Sequence, residues 1–189
     1  MVAKELVDEL KAKMRAERAE LIAAARSLSP ADALHVPTDA QGEDQWTALE
    51  QLAHLWEMER SYDSWVRAAL DSNNPDLSGV AGEPVSIPIE QANEATVDEL
   101  LARLEVERAY THGLIDGLSL DAFDRTATSP AFGTLTVLQW LRSFYRHDRQ
   151  HAAQVLGRVS SYQPQFKAGR EPNQRQARIE LVRRRQAGG

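Results

Sequence analysis

Four stretches of the 189-residue chain repeat apolar residues at helical spacing without an internal proline, and three of them open on the same signature. Thr47 with Glu50, Thr96 with Glu99 and Thr136 with Gln139 each place a hydroxyl three residues before a Glu or Gln. This capping box satisfies orphan backbone N–H groups at both ends of its own four-residue span. The first stretch, residues 3–28, puts Leu6, Leu10, Met14, Leu21, Ala25 and Leu28 on one stripe and stops before Ser29-Pro30. The second, about 47–71, turns Leu49, Leu52, Leu55, Tyr62, Val66 and Leu70 inward, and the third, about 96–119, does the same with Val97, Leu100, Leu104, Thr111, Ile115 and Leu118. The fourth runs from Thr136 to about residue 161.

The spacing predicts an all-α fold, a four-helix bundle. Between the second and third helices lies "DSNNPDLSGVAGEPVSIPIEQAN", far longer than an antiparallel helix pair needs. Such a connection reads as a crossover and gives an up-down-down-up order rather than an all-antiparallel one. "VSIPI" (85–89) alternates briefly, but its proline and isolation argue against a strand. Residues 1–161 are expected to form the bundle domain, and 162–189 a basic C-terminal extension, either a short helix or a tail. The extension's charge contrasts with the acidic body: residues 160–189 hold seven of the 22 Lys and Arg but only two of the 28 Asp and Glu. That body should repel nucleic acid. No apolar run approaches a membrane span, and cysteine is absent, which excludes disulfides, thiolate ligands and a cysteine nucleophile. A cytoplasmic protein that touches neither membrane nor nucleic acid is the expectation, and any thiol chemistry needs an external thiol.

"RHDRQHAAQ" (146–154) sets His147 and His151 one turn apart at the margin of the fourth helix's apolar arc, beside Trp140 and Gln154. Imidazoles at i and i+4 can converge on one ion. In "LAHLWEMER" the second helix offers His54 at the edge of its own arc, with Trp65 farther along the same side, so a bundle can bring it to the pair. Three neutral imidazoles without a thiolate suit a divalent metal such as zinc, nickel, iron or copper and leave coordination positions for water or substrate. The competing reading makes them edge-of-core residues bonded to the backbone. A metalloprotease-like reading of "HDRQH" fails, because Asp replaces the general-base Glu and no histidine follows His151. His35, in "ALHVP", and His112, at the margin of the third helix, stay outside the set.

"WTALEQLAHLWEMER" and "GTLTVLQWLRSFYRHDRQHAAQV", separated by the long loop, resemble the DinB/YfiT-like superfamily of bacterial four-helix bundles over about residues 3–160. This is the metal-binding family, not the DNA polymerase that shares the name. The resemblance implies a divalent metal (zinc, nickel or iron) on His54, His147 and His151, frequent homodimers, and transfer of low-molecular-weight thiols such as bacillithiol, or isomerisation assisted by mycothiol. A metal-dependent thiol transferase is therefore the leading expectation. Hydrolysis by metal-bound hydroxide and a noncatalytic metal or small-molecule binding module are the alternatives.

Acids also fall where a core wants apolar groups. Glu59 sits mid-arc on the second helix and Asp148 between Leu141 and Val155 on the fourth, while Glu17-Arg18 and Glu107-Arg108 interrupt the other two. A lone buried carboxylate is too costly to keep charged. An interhelical ion-pair layer follows, with Arg18 and Arg108 as partners of Glu59 and Asp148. Glu57, one turn from His54, is expected to face solvent or to orient a ligand.

Overall fold

The computed structural model describes residues 2–36 and 46–162. The expected extension from residue 163 onward lies outside the described residues. Four long helices, α1 (Lys4–Arg26), α3 (Ala48–Asp71), α4 (Val97–Asp116) and α5 (Val137–Gln154), are joined by the one-turn helix α2 (Pro30–Ala33), two 3₁₀ turns (Ile89–Glu94 and Ala122–Asp124) and a hairpin. All three capping boxes form, with Thr47, Thr96 and Thr136 as N-caps of α3, α4 and α5. Among the described residues no helix is long and apolar enough to cross a membrane.

Side-chain pairs fix the directions of the helices. Lys11 pairs with Asp116 and Arg26 with Asp98, so α1 and α4 are antiparallel. His54 meets His147, Tyr62 meets Phe144 and Trp65 meets Trp140, so α3 and α5 are antiparallel. Glu17 pairs with Arg149, and Ala24 packs with Val155, so α1 and α5 are parallel. The order is up, down, down, up.

The crossover allows α4 to run parallel to α3 by returning along α3's outer side. Trp65 Nε1 donates to the Val80 carbonyl at 3.0 Å, Arg60 Nη1 to that of Pro84 at 2.6 Å, and Thr47 Oγ1 to Asn93 Oδ1 at 2.7 Å. Gly82 lies so close to α3 that a Cβ there would stand 2.6 Å from the Ser61 backbone nitrogen. Glu57 is half-buried, and its Oε1 accepts the Ile89 N–H at 3.3 Å, at the start of the first 3₁₀ turn.

Two features depart from the expectation. Strands β1 (Thr126–Ser129) and β2 (Gly133–Thr136) pair antiparallel, and Thr136 closes the ladder while capping α5. Neither four-residue strand carries a run of apolar alternation that sequence patterning could register. Helix α5 stops at Gln154 rather than near 161. Gly157, at φ +66, accepts the left-handed position, and the bonds Arg158 N–H to Ala153 O (3.0 Å) and Gly157 N–H to Gln154 O (2.9 Å) complete a Schellman stop.

Among the described residues the core has two large apolar clusters and a small third around Ala24, Ala48 and Val155. Leu10, Met14, Tyr62, Val66, Ile115 and Phe144 belong to one apolar cluster, and Leu21, Leu49, Leu52, Trp56, Leu100 and Leu104 to another. Along each long helix a buried charge separates them: Arg18, Glu59, Arg108 and Asp148, none more than 5 % exposed. Arg18 Nε and Nη2 donate to Asp148 Oδ2 and Oδ1 at 3.1 and 3.0 Å, and Nη2 also reaches Glu59 Oε2 at 2.5 Å. Arg108 Nε donates to Glu59 Oε1 at 2.7 Å, and its Nη2 lies 2.9 Å from Asp148 Oδ2. The remaining Nη1 groups bond to the carbonyls of Leu104 and Met14, and Thr111 Oγ1 donates to Glu59. Burial alone would raise the Glu59 carboxyl, but the Arg108 and Arg18 charges outweigh it and hold the group down to about 2, from an ordinary 4.5.

Replacing Arg18 or Arg108 by Met should cost about 3 to 5 kcal/mol in urea unfolding, because a buried carboxylate loses its partner; a loss under about 1 kcal/mol would mark the pair as solvent-screened. Because the folded Glu59 pKa is depressed, its contribution is complete above about pH 4.5 and disappears as the pH falls toward 2. Stability should decline over that window, and Glu59→Gln should flatten the decline; an unchanged slope in the variant would contradict the assignment.

Candidate metal centre

The rotation of two helices builds the site. Asp148 points into the ion layer, and its neighbours in sequence His147 and His151 face α3, where His54 sits on the second turn. His147 Nε2 lies 3.2 Å from His54 Nε2 and 3.0 Å from His151 Nε2. His54 and His151 are buried, at 2 % and 0 % exposure, and His147 is half-buried. Among the described residues these three form a group able to hold a metal ion.

The separations suit a shared cation better than hydrogen bonds among the rings. A ring nitrogen has one in-plane position, holding either a hydrogen or a lone pair, so His147 Nε2 cannot make a straight hydrogen bond to both neighbours. A cation at the centre accepts all three lone pairs. Tetrahedral ligands at about 2.0–2.1 Å from zinc lie roughly 3.4 Å from one another, close to the spacing found. Burial pushes His147 down to about 4 and His151 well below its ordinary value, aided at His151 by the adjacent His147 and His54. Both rings are then neutral near pH 7, the state that ligates a metal. The donor set, with these two rings neutral, fits a divalent ion.

Other expected residues fall into place around the three. Gln154 is buried one turn beyond His151. Trp65 and Trp140 meet edge to face with ring centroids 5.2 Å apart, and Tyr62 links Trp65 to the site, its ring 5.4 Å from Trp65 and 6.0 Å from His147. His35 is exposed just after α2, and His112 is half-buried on α4, where burial lowers its pKa. Two residues were not anticipated at the site. Trp46, read from sequence only as the approach to a cap, packs on His54 at 4.8 Å. Gln51, one turn before His54, places Oε1 3.1 Å from His151 Nδ1. Its place on the histidine face of α3 was the available signal.

Residues 13–155, from mid-α1 to the end of α5, match the family described as the DinB superfamily. The chain belongs to the DinB superfamily. All three histidines lie within the matched span. Among solved structures the bundle is similar to YfiT from Bacillus subtilis, with 18 % sequence identity, a TM-score of 0.65, and coverage of 82 % of this chain and 87 % of that one. YfiT is described as a probable metal-dependent hydrolase with an unusual four-helix bundle topology; at this identity the likeness establishes the shared fold. Comparison with curated proteins gave no match.

Substituting any one of His54, His147 and His151 by Ala should reduce bound metal from one equivalent per chain to near none, measured by elemental analysis of untagged protein. Helical circular dichroism should persist, because a core of this size does not depend on the ion. Full occupancy in His54→Ala would exclude a site shared by α3 and α5.

Proposed function

We propose that this protein is a metal-dependent enzyme in which His54, His147 and His151 hold one divalent ion that activates a small-molecule nucleophile. The convergence of three imidazole nitrogens carries the reading. A bound divalent ion would supply Lewis acidity, bringing the pKa of a coordinated water or thiol toward neutrality. Three uncharged ligands leave the ion's charge uncompensated, and three protein donors leave positions open.

The surrounding residues support a metal-centred activation. The nearest buried carboxylates, Glu59 and Asp148, are both engaged by Arg18 and Arg108, and Glu59 in particular is too weak a base at neutral pH to take a substrate proton. Without cysteine the chain has no thiol of its own. Of the three imidazoles His147 is the one nearest solvent, with the Tyr62 ring packed beside it at 6.0 Å.

Water and a low-molecular-weight thiol are the two candidate nucleophiles. The hydrolase description of YfiT favours the first; the family resemblance of the helix-borne motifs favours the second. In Co²⁺-loaded protein, azide or a thiol should shift the d–d bands, whereas a site closed by protein would leave them unmoved. Turnover of activated ester or amide substrates without added thiol would identify the hydrolase. Turnover of electrophiles only with bacillithiol, mycothiol or glutathione would identify the transferase. Unmoved bands with no turnover in either assay would reduce the site to a binding module.

A further inference from the structure

We infer that Gln51 is a positioning residue that fixes the tautomer of His151 and thereby presents its Nε2 lone pair to the metal centre. The inference rests on the three-histidine reading above and extends it to a residue outside the ligand set. An imidazole ligates through Nε2 only when its hydrogen is on Nδ1, and a neutral histidine alone does not choose that tautomer. Gln51 makes the choice through two bonds. Its Nε2 donates to the Trp46 carbonyl at 3.4 Å, which fixes the amide's orientation, so its Oε1 is the atom 3.1 Å from His151 Nδ1 and must accept a hydrogen from it.

The start of α3 makes the Trp46 carbonyl available. Thr47 is the N-cap, so its own carbonyl takes the first helical bond, from Gln51 N–H at 3.0 Å, while Trp46 lies one residue outside the helix with its carbonyl uncommitted to the ladder. Thr47 Oγ1 is bonded to Asn93, and the Trp46 ring packs on His54. One capped helix start therefore orients an imidazole from each of the two helices. Gln51 is 1 % exposed and His151 0 %, so no bulk water substitutes for the amide oxygen.

Ring-nitrogen NMR of the full-length apoprotein reads the tautomer directly, and metal competition titrations read its consequence. Wild type should show His151 with hydrogen on Nδ1. Gln51→Ala should lose that signature, mix tautomers and bind Zn²⁺ or Co²⁺ about 10- to 100-fold more weakly, with altered Co²⁺ d–d bands. Gln51→Glu, whose carboxylate also accepts from Nδ1, should restore both the tautomer and the affinity even if Gln51→Ala folds poorly. A Gln51→Ala protein with the wild-type tautomer and affinity within about twofold, or a wild-type His151 protonated on Nε2, would overturn the inference. Absence of metal binding in wild type with the Nδ1–H tautomer intact would instead count against the three-histidine centre and leave the Gln51 contact standing.

Discussion

The layer of Arg18, Glu59, Arg108 and Asp148 is the constraint on which the rest of the bundle depends. Apolar stripes allow helices to slide and rotate at modest cost, since one aliphatic contact resembles the next. A buried guanidinium satisfied by two carboxylates and a carbonyl tolerates little displacement, because any slip leaves a desolvated charge without its partner. Each long helix contributes one member, and the two large apolar clusters meet at that level. The layer need not add net stability over an apolar core of equal volume; what it adds is register.

Register is what the histidine site requires. Asp148 lies between His147 and His151 in sequence, and consecutive helical residues differ by about 100° in direction. Aiming Asp148 at Arg18 and Arg108 turns the two histidines toward α3, where Glu59, in the same layer, sets the height of His54 one and a half turns away. The charges that hold the helices in place also hold the Glu59 carboxyl low, which leaves it too weak a base at neutral pH to take a substrate proton.

Much of this was legible in the sequence. The three capping boxes gave the helix starts to the residue, because such a cap is a local interaction of four consecutive residues. The polar interruptions at Arg18, Glu59, Arg108 and Asp148 were readable because buried charges must find one another. The edge positions of His54, His147 and His151 were readable because they recur at helical spacing. The hairpin at 126–136 was not, since four-residue strands of Thr, Ala, Ser and Gly carry no periodic signal, and its pairing is tied to Asp76 in the crossover, a distant contact. The end of α5 was misjudged because Val159 extended the apolar pattern past Gly157, which takes the left-handed turn instead. Gln51 was passed over because a glutamine on a helix face looks like any solvated one until the partner across the groove is known.

The most direct test of this account is X-ray absorption at the metal edge of protein purified without an affinity tag. Three imidazole nitrogens at about 2.0–2.1 Å with one or two light-atom ligands completing the shell are predicted for a zinc-loaded site. A shell with one imidazole or none, or protein that retains no metal when supplied with an equivalent, would contradict it.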